Sequence, residues 1–117
     1  MTTPQEQPAR QSNIDRLFHA LGDPTRRAIL DALVPRPASV SKLAEPLGIT
    51  LTAVMQHLDI LEEAGLVHTE KLGRVRVCRL EPGGLGALEL WIREHRISWE
   101  LKLDRLGEML GEEDQAE

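Results

Sequence analysis

Few residues in this chain have a type and spacing that could do chemistry, and those few suit binding better than catalysis. Thr52, Ala53 and Gln56 fall along one side of a helical-period stretch that runs from Gly48 to Gly65. A surface this small and uncharged can enter a DNA major groove, where Gln pairs with an adenine edge and Thr or Ala touches a thymine methyl. Further on, Lys71, Arg74, Arg76 and Arg79 cluster between Leu66 and Leu80 against a single acid, Glu70. Arginine suits phosphate oxygens, because its planar fork presents paired donors. Both features also have a plainer reading. Any amphipathic helix shows a polar face, and charges along a sheet edge deter edge-to-edge association.

Other chemistry finds little support. Cys78 is the only cysteine, which rules out an internal disulfide framework and a multi-cysteine zinc cluster. Arg76 and Arg79 beside it would lower a thiol pKa and favour a redox switch; an inert thiol in a strand is the commoner case. The histidines, His19, His57, His68 and His95, are scattered. A first-row metal site wants three or four convergent N, S or O ligands, so no metal site is expected. No nucleophile–base pair, Gly-rich phosphate loop or carboxylate cluster points to an enzyme, and no cofactor is implied.

The elements that would position these residues follow from caps and periodicity. Ile14, Leu17, Phe18 and Leu21 predict a short helix over Asn13 to Leu21, ended by Gly22. Asp23-Pro24 opens the next, with Asp as N-cap and Pro at the first helical position. Ala28, Ile29, Leu30 and Leu33 face inward, and Pro35-Arg36-Pro37 breaks it. Ser39 caps a third helix with Val40, Leu43, Ala44 and Leu47 inside. Only Gly48-Ile49 then separates it from Thr50, the N-cap of a fourth helix. Leu51, Val54, Leu58 and Leu61 form that helix's apolar stripe, and Gly65 supplies the left-handed residue that commonly stops a helix. Two helices joined by a tight Gly-containing turn, the second with a polar front, make a helix-turn-helix.

After Gly65 the period changes from 3.6 to 2. Leu66 to Leu72 and Val75 to Leu80 are β-rich runs around Gly73-Arg74, which reads as a hairpin. In the second run Val75 and Val77 share one face, with Arg74, Arg76 and Cys78 on the other. A helix-turn-helix followed directly by a basic hairpin is a winged helix, its wing lying along the sugar–phosphate backbone. Pro82-Gly83-Gly84 marks a boundary, and a long helix over about 84–110 follows. Leu88, Ile92, His95, Trp99, Leu103 and Leu106 recur there at steps of three and four, widened by Trp91 and Met109. Such a helix spans roughly 39 Å, longer than a small winged domain needs. Two Trp on an overhanging stripe call for a partner, most simply a second copy about a two-fold axis.

At 117 residues the chain is expected to form one domain, 13–110, with a disordered tail over 1–12 and an acidic one over 111–117. No run approaches the ~20 apolar residues of a membrane span, and the first twelve residues lack a signal-peptide pattern, so cytoplasmic residence is expected. The net charge of −5 is unevenly spread: residues 1–80 carry ten Lys/Arg against nine Asp/Glu, and 81–117 carry four against ten. Phosphate binding depends on the local basic stripe more than on the sum.

The residues also carry a family resemblance. Ala20 to Leu30, reading ALGDPTRRAIL, then His57 to Val67, reading HLDILEEAGLV, then Gly73-Arg74, resemble the ArsR/SmtB family of bacterial repressors. Trp91-Ile92-Arg93, Trp99 and Leu103-Asp104-Arg105-Leu106 are similar to its branch lacking metal sites. The match runs from about Ile14 to Leu110. It implies a homodimer joined mainly through the first and last helices, a winged helix-turn-helix in each protomer, and repression by occupying an operator. His57 matches the family's His. There are departures: family members often carry Ser where Met55 stands and a basic residue at Gln56 or Asp59. The segment Thr50 to Ala64 holds no Lys or Arg, and its acids, Asp59, Glu62 and Glu63, lie in the rear half, away from the bases. Affinity must then lean on the wing and on other backbone contacts such as Arg26, Arg36 and Lys42. The family's metal site in the third helix would need cysteines near Val40 to Leu47, and none is there.

The reading is therefore a mainly α fold with a small β-hairpin, a winged helix-turn-helix with a long C-terminal dimerisation helix. Double-stranded operator DNA is the expected partner of a homodimer, through Thr50, Thr52, Ala53, Gln56, His57, Arg74 and Arg76. The dimer interface is expected at Leu88, Trp91, Ile92, Trp99, Leu103 and Leu106. Two alternatives remain: a winged helix that binds another protein through its acidic face, and a repressor released by a small apolar ligand.

Overall fold

A computed structural model describes residues 6–116, with side chains from 12 to 111. It divides into two units, Met1–Gly86 and Ala87–Glu117.

In the first unit, helix α1 spans Glu6–Leu21. It starts seven residues before the expected Asn13. Pro8 falls in the first turn, where no intrahelical amide bond is lost. Most of the expected N-terminal tail is thus helical, and its residues 1–5 lie outside the described part. Helix α2 spans Pro24–Leu33, capped by Asp23, whose carboxylate accepts from the Thr25 and Arg26 amides. Helix α3, Val40–Leu47, is capped by Ser39 through the Lys42 amide. Helix α4, Leu51–Glu63, is capped by the Thr50 hydroxyl, which accepts from the Ala53 amide at 3.0 Å. Between α3 and α4 the chain reverses at Gly48, whose φ of 65° a side chain would oppose. At the far end of α4 the Leu66 amide donates to Leu61 and that of Gly65 to Glu62, so two of its last carbonyls are satisfied as in a Schellman turn.

Strands β2 (Val67–Leu72) and β3 (Val75–Leu80) form the expected hairpin, with Leu72 opposite Val75 across Gly73-Arg74. A two-residue strand, β1 (Ala38–Ser39), adds to the outer edge of β3 and gives the order β1-β3-β2, all antiparallel. Sequence periodicity cannot see two residues. The prolines at 35 and 37 keep this stretch out of a helix and leave it extended for pairing.

Leu17 and Ala20 of α1, Ile29 and Leu33 of α2, Leu43 of α3 and Val54, Leu58 and Leu61 of α4 bury against one another, with Val67 and Cys78 closing the sheet side. Leu51, expected in the inner stripe of α4, is instead exposed. As the first helical residue it stands beyond the end of the core. On β3 the inner face is the one carrying Cys78, with Arg76 half-buried beside it.

Helix α5 spans Gly86–Ala116. It begins two residues later than expected and continues past Leu110, so the anticipated disordered acidic tail is helical as far as residue 116; Glu117 lies outside the described residues. Beside the expected stripe of Leu88, Ile92, Trp99, Leu103 and Leu106, α5 carries a second. At about 100° per residue, Leu90, Ile97 and Leu101 point to the opposite side. Apart from half-buried Leu88, both stripes are exposed: Leu103 by 64%, Leu101 by 61%. Trp91 stacks on His95 with ring centres 3.9 Å apart, and Trp99 meets both edge-on. The His95 Nδ1 lies 2.8 Å from the Trp91 carbonyl, which can only accept, so that nitrogen carries the proton. Among the described residues no helix is long and apolar enough to cross a membrane.

Candidate nucleic-acid interface

Two exposed features of the first unit lie where the sequence placed them. Thr52 and Gln56 are exposed one turn apart on α4, with Ala53 half-buried beside them. Asp59 and Glu63 are exposed nearer the C-terminal end of the same helix. Arg74 is exposed at the hairpin turn, and Lys71, paired with Arg76 across the hairpin, is exposed as well. Thr50 remains exposed; its hydroxyl oxygen accepts from the Ala53 amide as the helix cap, which leaves its hydrogen able to donate elsewhere.

Arg76 is held differently. Its guanidinium donates to the Thr69 hydroxyl at 3.3 Å, and Thr69 in turn bonds Glu62 at the end of α4 through both its amide (3.1 Å) and its hydroxyl (3.2 Å). His68 lies 3.9 Å from the same carboxylate. Glu62, read from sequence as a charge to be kept away from the bases, therefore ties the recognition helix to the wing. Beneath this cluster Cys78 is fully buried. Burial pushes its thiol up to about 11; Arg76 pulls the other way and loses, and Glu62 adds to the rise. The pull of the neighbouring arginines is thus outweighed, which favours the inert strand thiol that sequence reading held to be the commoner case over a redox switch. Neighbouring arginines favour a thiolate only where water or an ion pair replaces its hydration, and this site is closed to water.

Arg26, expected from sequence to reach phosphate, is buried at 7% exposure. Its Nε donates to the Ala20 carbonyl at 2.9 Å and its Nη2 to that of His19 at 2.7 Å, while Arg27 caps Leu21 at 2.6 Å. The last carbonyls of α1, orphaned by the end of the helix, are satisfied by cations that also suit its negative pole. Asp23 lies 3.6 Å from the Arg26 guanidinium. Its partial burial would raise the carboxyl pKa, yet the amide bonds of Arg26 and Thr25 and the guanidinium charge together hold it below the usual carboxylate value. The fourth partner of Arg26 is His57 of α4, whose Nδ1 lies 3.3 Å from Nη1. No sequence signal marks this contact, because its ends are 31 residues apart. Among the described residues no group of three or more His, Cys, Asp or Glu could hold a metal ion.

A helix-turn-helix joined to a basic antiparallel hairpin defines a winged helix-turn-helix DNA-binding protein. Comparison with known proteins agrees. The family described as "Helix-turn-helix domain" matches residues 21–70. The HTH-type transcriptional regulator Rv2034 of Mycobacterium tuberculosis is 46% identical over 74 residues, covering 63% of this chain and 69% of that protein. A crystal structure of the ArsR family transcriptional regulator RHA00566 is 40% identical, with a TM-score of 0.71 over 86% of this chain and 97% of that one. The ArsR-like transcriptional regulator from Rhodococcus sp. RHA1 is 28% identical, with a TM-score of 0.73 over 85% and 93%. The chain belongs to the ArsR family of transcriptional regulators, as its motifs had indicated. Its relatives are regulators rather than enzymes. A more distant neighbour, 24% identical with a TM-score of 0.64 over 84% of this chain and 89% of that one, shares the fold: the homodimeric winged helix-turn-helix DNA-binding domain of Mb0332 from Mycobacterium bovis.

Proposed function

We propose that this regulator is a homodimeric repressor that occupies an inverted-repeat operator and needs no metal to bind or release it. The carrying observation is the exposed, uncharged front of α4, Thr52 with Gln56, in a unit whose wing tip is basic. Direct base reading falls to Gln56, Thr52 and Ala53. Sequence-independent phosphate contact falls to Arg74 and Lys71, with His57 at the flank. The apolar stripes of α5 join two copies, so that each dimer offers two reading helices about one DNA turn apart. The homodimeric Mb0332 domain lends support to this arrangement.

Selection of bound duplexes from a random-sequence pool, followed by footprinting, tests the reading. The expected product is an inverted repeat with half-site centres about 34–36 Å apart or a multiple of that. Zinc, cadmium, arsenite or copper at modest excess should leave affinity for it unchanged. Recovery of no preferred duplex, or a chelator-reversible release by metal, would refute it.

A further inference from the structure

We infer that Arg26 is a positioning residue for DNA binding: it fixes the imidazole of His57 as a donor through Nε2, presented to a backbone phosphate. The inference rests on the DNA-binding reading above and adds to it a residue that never meets the DNA.

A buried guanidinium is costly unless paired and hydrogen-bonded. Arg26 meets that demand mostly at the α1–α2 corner, through the His19 and Ala20 carbonyls and Asp23. The contact with His57 goes beyond the corner, to the helix that carries Gln56. Its chemistry is one-directional. A guanidinium carries only hydrogens and does not lose one in proteins. Nδ1 of His57 must therefore offer its lone pair, which leaves the ring proton on Nε2.

Nε2 itself is open. Among the described residues no side-chain nitrogen or oxygen is both buried and unbonded, and His57 has no hydrogen-bond partner there besides Arg26. His57 is half-buried and follows Ala53 by one turn, so it borders the uncharged front of α4. A ring held at one nitrogen and left unbonded at the other is a donor already ordered in the free protein, which lowers the cost of the contact. A phosphate oxygen is an acceptor only, and a contact to it fixes register without reading sequence.

The test uses the full-length protein with two duplexes, one selected from a random pool by the wild type and one of random sequence. His57→Gln keeps an N–H near the place of Nε2; His57→Asn keeps one only near that of Nδ1. We expect H57Q to bind within about threefold of wild type, and H57N and H57A to bind about tenfold more weakly on both duplexes. Arg26→Lys and Arg26→Gln should weaken binding in the His57 background and add little in the H57A background, the signature of one coupled contact. Since a buried arginine also serves the fold, these two arms are read only where circular dichroism and melting show a folded protein; the His57 arms stand without them. Nitrogen-15 spectra of the wild-type ring should show Nε2 protonated and Nδ1 bare. Equal affinities for H57Q and H57N, a proton on Nδ1, or fully additive losses would overturn the positioning role alone. A wild type that binds no duplex would overturn the DNA-binding reading and this inference with it.

Discussion

Arg74 and Arg76 stand two residues apart and differ in what they are free to do. Arg74 is exposed at the turn, while Arg76 is engaged with Thr69 and through it with Glu62. Arg74→Ala should therefore lower the slope of log K against log salt by about 0.9, the value for one lost phosphate contact. Arg76→Ala should lower it less. A titration of affinity against salt for both variants checks this, and an equal drop from the wild-type slope in both would place both side chains on the DNA. Gln56→Ala should cost on the order of 1–3 kcal/mol on the selected operator and much less on random DNA. Equal losses on both duplexes would make Gln56 a backbone contact. The helix caps and the polar front of α4 were legible because each depends on residues within one turn. The partners of Arg26 and Arg76 were not, since residues distant in sequence bring them together.

Cys78 belongs to the same scale. Its pKa is raised in the folded state to about 11 from an ordinary 9.0. The thiol's contribution to stability is thus complete below pH 9 and is lost as the pH rises toward 11, because the unfolded thiol ionises first. Its full size is on the order of 3 kcal/mol. Urea denaturation between pH 8 and 11 should show that decline in wild type and a shallower one in Cys78→Ala. Parallel pH profiles would mean that Cys78 ionises as freely folded as unfolded.

At the scale of elements, the connection from β3 to α5 brings backbone close to backbone at Gly84. A Cβ on Gly84 would lie 2.6 Å from the Gly65 carbonyl oxygen, whereas one on Gly86 would meet nothing within 4 Å. Gly84→Ala should destabilise the fold by about 1–3 kcal/mol, and Gly86→Ala should leave stability unchanged or slightly raised; chemical denaturation compares the two. The Pro-Gly-Gly stretch was legible as a boundary, but not as a place where backbone meets backbone. Element ends fared unevenly for a similar reason. Asp23, Ser39 and Thr50 announce their helices, whereas α1 begins at Glu6 and α5 runs to Ala116 without so plain a signal. The second stripe of α5 went unread because Leu90, Ile97 and Leu101 keep the helical period in opposite phase to the first.

At the scale of the whole molecule, α5 with apolar residues on two opposite sides carries the dimer proposal. On that proposal one winged unit would make few phosphate contacts, while two fixed in a dimer would make the second half-site an intramolecular event and raise avidity by orders of magnitude. Leu103→Glu or Leu106→Glu would place an unpaired charge in the proposed interface at a cost of several kcal/mol. Sedimentation should show monomers, with helical circular dichroism retained and operator binding lost. A folded monomeric variant that still binds the full operator near wild-type affinity would separate the two properties.

The α1–α2 corner has a bearing on the order in which this protein assembles. Its cap and its two arginine latches close loops of two to seven residues: Thr25 to Asp23, Arg27 to Leu21, Arg26 to Ala20 and His19. Such short closures lose little chain entropy. Pairing Ala38 with Cys78 closes forty residues at once. Local contacts of the first kind form on the timescale of helices, and the antiparallel pairing follows more slowly. The corner should then stand before α4 docks, with Arg26 offering His57 a fixed donor.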